Sequence, residues 1–452
     1  DAAAGLARRA LARASDANLR SAWLNTDAAG PRLPSADLYE ALAGRRYRLE
    51  QLADSGTPQP ERMLRLEADI AMLRSRLNEA TRQRTQVDAP RTDPVADAQR
   101  TLAADDALLV YWLSSPQSWL WVVTRDGLEL LPLADAAEFE RVNRTLLAGI
   151  ARLQPVDAQA ERLARMLLPG AALPTRAQSV LVIPDGIVAA VPWPLLQRRM
   201  NVGGIVQLPG LGSMSAGGRA LVAGASHRLL LFGDPVYGPD DPRVQSGAVR
   251  RARDPNGPGR LPRLPGTARE LASIAAFSTP AQHESLTGLA ATRDALLGAE
   301  LGRVDVLHLA AHAALDADVP ELAAIVLAQF SMDGRPIAGD LRASDILRLD
   351  VTPPLVVLSA CDAAAEPSVQ AAGMMNLTRA FLARGSRQVV ASLWPASDAS
   401  TTELMTEFYR QLLQQGATPD IALARAQATL AASPRWSAPF YWAGFVVLGG
   451  HP

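Results

Sequence analysis

The chain has 452 residues, with 45 basic and 46 acidic side chains and a formal net charge of −1. This balance gives no global argument for nucleic acid or an anionic membrane surface, and no apolar run reaches the ~18 residues of a membrane span. The 48% apolar content is ample for a large core, and the length suggests two or three domains. Every basic residue is arginine, so a phosphate-binding loop with its GK[ST] lysine is excluded. The single cysteine, Cys361, cannot form an internal disulfide. No oxidising compartment is implied, and a cytoplasmic location is expected.

Residues 1–24 are Ala/Arg-rich and helical by propensity, and residues 25–34 read as a linker. Ser35 can cap a helix running to about Ala53. After the Asp54–Pro58 turn, a second helix from about Pro60 carries Met63, Leu66, Ile70, Leu73 and Leu77 at steps of 3, 4, 3 and 4. That is a coiled-coil seam. Leu38, Leu42, Leu49 and Leu52 offer an interrupted partner seam, so residues 1–98 are expected to hold an antiparallel helical hairpin. Such a hairpin serves either as an internal prop or as a docking arm for a partner. Residues 86–98 read as a polar, proline-containing linker, and no internal repeat is visible.

The pattern then changes. Leu108–Leu113, Trp119–Thr124 and Leu128–Leu133 read as an antiparallel meander, with Trp119, Trp121 and Trp193 as core or sheet-face residues. Residues 138–168 read as helical, and Ser179–Ile183 as a further strand. Leu229–Phe232 and the turn Gly233-Asp234-Pro235 open a second half. The long stretch from Tyr237 to Pro265 is rich in Gly, Pro and Arg. It reads either as a solvated loop or as a processing segment, with Arg250, Arg251 and Arg253 as cleavage points. Thr267 can cap the next helix, with Glu270 at capping-box spacing. Strands are expected at 304–309, 324–329, 354–358, 388–393 and 445–448. Helices are expected near 292–298, 343–347, 374–384, 400–414 and 419–431. This alternation predicts a parallel sheet covered by helices on both faces.

Working residues in such sheets sit just past the carboxyl ends of strands. Leu355-Val356-Val357-Leu358 breaks into Ser359-Ala360 and presents Cys361. Upstream, VDVLHLAAH from Val304 ends at His312. A thiolate needs a base or a lowered pKa to form at neutral pH, and an imidazole on a neighbouring strand end supplies one. His308 lies four residues before His312, so spacing alone leaves both open; the strand-end position favours His312. Asp362 and Asp185 read as turn residues. No Cys/His cluster supports a metal, and neither a nucleophile elbow nor a dinucleotide fingerprint is present.

These segments resemble the CHAT family of caspase-like, separase-related (clan CD) cysteine peptidases. The likeness extends to LPGTAREL (Leu264–Leu271), LTGLAATRDAL (Leu286–Leu296), the run from Ala380 to Asp398, and YWAGFVVLGG (Tyr441–Gly450). IPDGIVAAVPWPLL (Ile183–Leu196) is similar to the opening of the same domain. The resemblance covers roughly residues 105–450. It implies a caspase-like, mostly parallel sheet flanked by helices (226–452), a preceding non-catalytic α/β half (99–225) and the helical hairpin region (1–98). It implies a cysteine endopeptidase cleaving proteins after basic residues, arginine preferred, through a thioester on Cys361. His312 would be the base, and the backbone N–H groups of Ala313 and Cys361 the oxyanion donors. Asp398 would bind the basic P1 side chain, although it also fits as a helix cap. No cofactor, metal, nucleic acid or membrane is expected. The expected partners are the protein substrate and an activating or docking protein reached through the N-terminal helices. The chain departs from the family at Ala313, where glycine is usual. That departure motivates the alternative of a catalytically inactive caspase-like interaction module.

Overall fold

Short strands that are almost continuously apolar must be covered on both faces. Here Ser179–Ile183, Leu355–Leu358, Gln388–Ser392 and Phe445–Gly449 are buried at every position. The structure, a computed structural model, describes residues 34–54, 59–87, 94–170, 173, 177–200, 202–214, 219–222, 225–245, 261–316, 319, 322–360, 367–395 and 397–450.

In chain order, helices α1 (Pro34–Asp54), α2 (Pro60–Val87) and α3 (Pro94–Thr101) precede strands β1 (Ala107–Trp112), β2 (Ser118–Val123) and β3 (Leu128–Leu133). Helices α4 (Ala136–Ala151) and α5 (Asp157–Leu167) lead to β4 (Ser179–Ile183), α6 (Trp193–Met200) and β5 (Gly204–Gln207). Next come β6 (Leu229–Pro235), α7 (Pro265–Ala275), β7 (His283–Gly288), α8 (Arg293–Leu297), β8 (Val306–Ala310), β9 (His312–Ala314) and β10 (Ala324–Val326). The chain closes with β11 (Asp340–Arg342), α9 (Ala343–Ile346), β12 (Leu355–Leu358), α10 (Pro367–Ala383), β13 (Gln388–Ser392), α11 (Asp398–Tyr409), α12 (Pro419–Ala432) and β14 (Phe445–Gly449).

Eleven strands form one sheet in the order β3-β2-β1-β4-β5-β14-β13-β12-β8-β6-β7. Its meander edge is antiparallel, and β14 runs antiparallel to β13. The other pairings are parallel. Helices flank the sheet, as the alternation predicts. A separate three-stranded antiparallel sheet, β11-β10-β9, is built on the exit from β8.

The hairpin seam is present. Leu42, Leu49, Ile70 and Leu73 are buried with Val319, and Leu38, Met63, Leu66 and Leu322 pack around them. The Arg46 guanidinium adds a two-point contact to Asp316, at 2.8 and 3.3 Å.

Several expectations are corrected. The linker expected over 86–98 contains α3, because Pro94 suits a first helical turn and Val95 and Ala98 bury on one face. Thr267 does not begin α7. Pro265, which has no N–H in need of an acceptor, starts the helix after Leu264. The expected strand 324–329 ends at Val326. The expectation for the tryptophans holds: Trp121 and Trp193 are core residues, and Trp119, 36% exposed, lies on a sheet face. Short strands β5, β7, β9 and β11 have no long apolar run to announce them.

Candidate functional site

Strand β8 lies between β12 and β6, with His308 opposite Val357 on one side and Leu231 on the other. Leu309 faces Leu358 in parallel register, so both chains leave the sheet at the same edge. On the β8 side, Ala311 is followed by His312, which opens β9 opposite Val326. On the β12 side, Ser359 and Ala360 are buried. Cys361 and Asp362, like Arg250, Arg251 and Arg253, lie outside the described residues.

His312 is only 6% exposed. Its Nε2 lies 2.8 Å from the Pro262 carbonyl. A carbonyl only accepts, so Nε2 carries the hydrogen and the neutral imidazole keeps its lone pair on Nδ1. The His312 backbone N–H donates to the Tyr237 hydroxyl at 3.2 Å, and the two rings sit 4.9 Å apart. Burial raises the Tyr237 phenol well above its usual range, and the His312 N–H offsets part of that rise. Tyr237 is therefore a neutral hydroxyl at physiological pH.

The two histidines have different surroundings. His308 is fully buried, with Nδ1 3.1 Å from the Tyr409 hydroxyl. Its Nε2 is 3.0 Å from Glu270 Oε1, but the approach is off the line of a hydrogen bond. Glu270 thus faces inward from α7 instead of reaching back to cap it. Burial and the charge of Glu270 push the Tyr409 phenol well above normal. His308 is enclosed, whereas His312 stands where the chain leaves the sheet.

Asp398 follows β13 and occupies the first turn of α11, where a carboxylate favours the helix dipole. Its backbone carbonyl accepts from Thr402 Oγ1 at 2.9 Å. The carboxylate itself lies against Gly266, in the first turn of α7. Burial first, and the charge of Glu270 second, hold its pKa above the usual carboxylate range, while the Gly266 N–H, His312 and Arg269 pull it back. His312 and Asp398 therefore share one electrostatic neighbourhood. Ala313 is 1% exposed and stands opposite Ile325 in the second sheet.

Sequence reasoning missed Pro262, Tyr237 and Asp234. Asp234 is the penultimate residue of β6, at a register shift, with the left-handed φ of 47°. It is 3% exposed and receives two guanidinium groups, those of Arg243 and Arg263. Among the described residues, no group of three or more His, Cys, Asp or Glu could hold a metal ion, and no helix is long and apolar enough to cross a membrane.

Human tetratricopeptide repeat protein 28 is 30% identical over 201 residues, which is 37% of this chain and 8% of that protein. The mouse protein of that name is 38% identical over 109 residues, 24% of this chain and 4% of the relative. The chain thus spans a small fraction of the curated relatives it matches. Among solved structures, the separase–securin complex of Saccharomyces cerevisiae aligns with a TM-score of 0.51 at 9% identity, covering 92% of this chain and 36% of that one. At this identity the likeness is one of fold alone. Residues 157–450, from the start of α5 through β14, match the CHAT domain. That is well over half of the sequence, and the chain belongs to the CHAT-domain family.

Proposed function

We propose that this protein is a cysteine endopeptidase that cleaves protein substrates after basic residues, with Cys361 as nucleophile and His312 as base. The observation that carries this reading is the hydrogen bond from His312 Nε2 to the Pro262 carbonyl. It leaves Nδ1 as the basic nitrogen at the exit of β8, on the strand next to the one that leads to Cys361. In this mechanism Nδ1 takes the Cys361 proton and the thiolate attacks the scissile carbonyl. Backbone N–H groups of Cys361 and Ala313 hold the oxyanion. The imidazolium then protonates the leaving amine, and water resolves the thioester. Asp398 would pair with the P1 guanidinium through a charge-assisted fork. Cleavage of the Arg250–Arg253 stretch would be one route of regulation, and a protein engaging α1 and α2 another.

An arginyl peptide bearing a thiol-trapping ketone tests this reading. It is mixed with the parent protein, Cys361→Ala and Asp398→Ala, and the intact proteins are weighed by mass spectrometry. Stoichiometric labelling of the parent, none of Cys361→Ala and strongly slowed labelling of Asp398→Ala are expected. Labelling that ignores Asp398 would remove it from the P1 site.

One observation favours a second reading, that of an interaction module without catalysis. Ala313 adds a buried β-carbon beside His312, at the position where the family resemblance implies glycine. An unreactive Cys361 in the parent, with Ala313→Gly restoring labelling, would support this second reading.

A further inference from the structure

Two arginines converge on Asp234, and they use it differently. Arg243 spends Nε and Nη2 on Asp241, at 2.8 and 2.6 Å, and reaches Asp234 only through Nη1. Arg263 gives its whole fork to Asp234, with Nε 2.9 Å from Oδ1 and Nη2 2.6 Å from Oδ2. The Arg263 side chain is 46% exposed, but the carboxylate it grips is 4% exposed. A planar fork on a nearly buried carboxylate fixes direction as well as distance.

What Arg263 fixes is its own neighbour. Pro262 is the residue whose carbonyl accepts the His312 Nε2–H at 2.8 Å. The other end of the arrangement returns to the same strand. Tyr237, three residues beyond Asp234, receives the His312 backbone N–H and packs against its ring at a tilt of 59°. Thr267 closes the remaining gap: its Oγ1 accepts the Asp234 N–H at 2.7 Å and donates to the Leu264 carbonyl at 2.7 Å. The end of β6 therefore holds His312 from two sides, through Tyr237 directly and through Arg263 and Pro262. The left-handed backbone of Asp234 is strain of the kind that concentrates at working sites.

We propose that Asp234 and Arg263 form a positioning clamp for His312. The pair anchors the Pro262 carbonyl, and this carbonyl holds the imidazole in the Nε2–H tautomer with Nδ1 as the base. The catalytic consequence rests on the peptidase reading. The tautomer itself is a property of the folded chain and needs no substrate.

The test uses full-length protein with ¹⁵N-labelled histidine in a Cys361→Ala background, read by long-range ¹H–¹⁵N spectra near pH 8, above the ordinary histidine pKa of about 6.5. His312→Asn identifies the His312 signals by their loss. The parent is expected to show His312 as a single Nε2–H tautomer. Arg263→Ala and Asp234→Asn are each expected to give a mixture of tautomers, and Arg263→Lys an intermediate spectrum because an ammonium cannot make the fork. Asparagine tolerates a positive φ, so Asp234→Asn keeps the backbone. Unchanged His308 signals in every variant show that the sheet is intact. A pure Nε2–H tautomer at His312 in both Arg263→Ala and Asp234→Asn would overturn the clamp.

A second arm restores Cys361 and measures peptide cleavage. Arg263→Ala is expected to lower kcat about tenfold, a part of what a general base contributes, with little change in KM. An inactive parent would sink the peptidase reading while the spectra still decide the clamp. An active parent with unaltered kcat in Arg263→Ala would remove the clamp from catalysis.

Discussion

A β-carbon added to Gly266 would lie 2.5 Å from Asp398 Oδ2, so the carboxylate can sit against the start of α7 because residue 266 is glycine. Gly266→Ala is expected to push Asp398 off α7, at an overpacking cost of about 1–3 kcal/mol. Labelling by the arginyl ketone should slow, while labelling by a norleucyl ketone should hold. Equal slowing of both would show a general distortion instead. The pH dependence follows from the raised pKa of Asp398, caused first by burial and then by Glu270. An acid with a raised folded pKa binds more protons folded than unfolded in the window between the two values. Its contribution to stability therefore falls as pH rises through that window. Recognition of a cation runs the other way, because it needs the carboxylate. Affinity for an arginyl ligand should therefore weaken on acidification before an ordinary aspartate would protonate. Asp398→Asn should abolish that step in a titration of ligand binding against pH.

The hairpin is an element whose attachment lies close in sequence to the site. Its core is Leu42, Leu49, Ile70 and Leu73, and it closes over Val319 and Leu322, a few residues beyond His312. Asp316 joins the two parts: its carboxylate takes the Arg46 guanidinium and also the Val319 N–H at 2.9 Å. Leu42 is fully buried. Leu42→Ala should cost about 2–5 kcal/mol of local stability. Hydrogen exchange should then rise through α1 and α2 while β12, β13 and β14 keep their protection. Exchange rising equally everywhere would mean that the hairpin and the sheet unfold as one unit. The seam was legible in the sequence because a step of 3 and 4 has one structural solution. Its landing place was not, because Val319 and Leu322 are distant in sequence and carry no periodicity. The same division holds at the site. His312 drew attention because a polar residue after an apolar strand is conspicuous, and Asp398 only through the resemblance to the family. Pro262 acts through a backbone carbonyl, which has no side-chain signature. Asp234 lies in a stretch that reads as a turn and Tyr237 opens one that reads as a loop, and neither reading brings Tyr237 to the His312 backbone.

At the scale of the whole molecule, the last strand is the one that joins the sheet. β14 is added at the end of the chain, yet it lies between β5 and β13, with Val447 opposite Val206 on one side and Val390 on the other. Within the sheet, and among the described residues, strands β1 to β5 are therefore joined to the strands leading to Cys361 and His312 through residues 445–449. Phe445, Val446, Val447 and Leu448 are each no more than 4% exposed. At about 1.5–3 kcal/mol for each buried side chain, the strand contributes roughly 6–12 kcal/mol of burial. That is comparable to the whole net stability of a typical domain, about 5–15 kcal/mol. Gln427, from α12, adds hydrogen bonds to the Trp442 and Phe445 carbonyls at 3.1 and 2.8 Å, which hold the approach to the strand. Truncation before Phe445 should therefore remove cooperative unfolding from both sides of the sheet together. Calorimetry of the intact chain should show β1–β5 and β6–β13 melting in one transition. In the truncated chain that transition should be lost, and both flanking strands, β5 and β13, should exchange their amide hydrogens rapidly. If β13 kept its protection after truncation, β14 would be an addition to an already stable sheet and not the strand that makes it one.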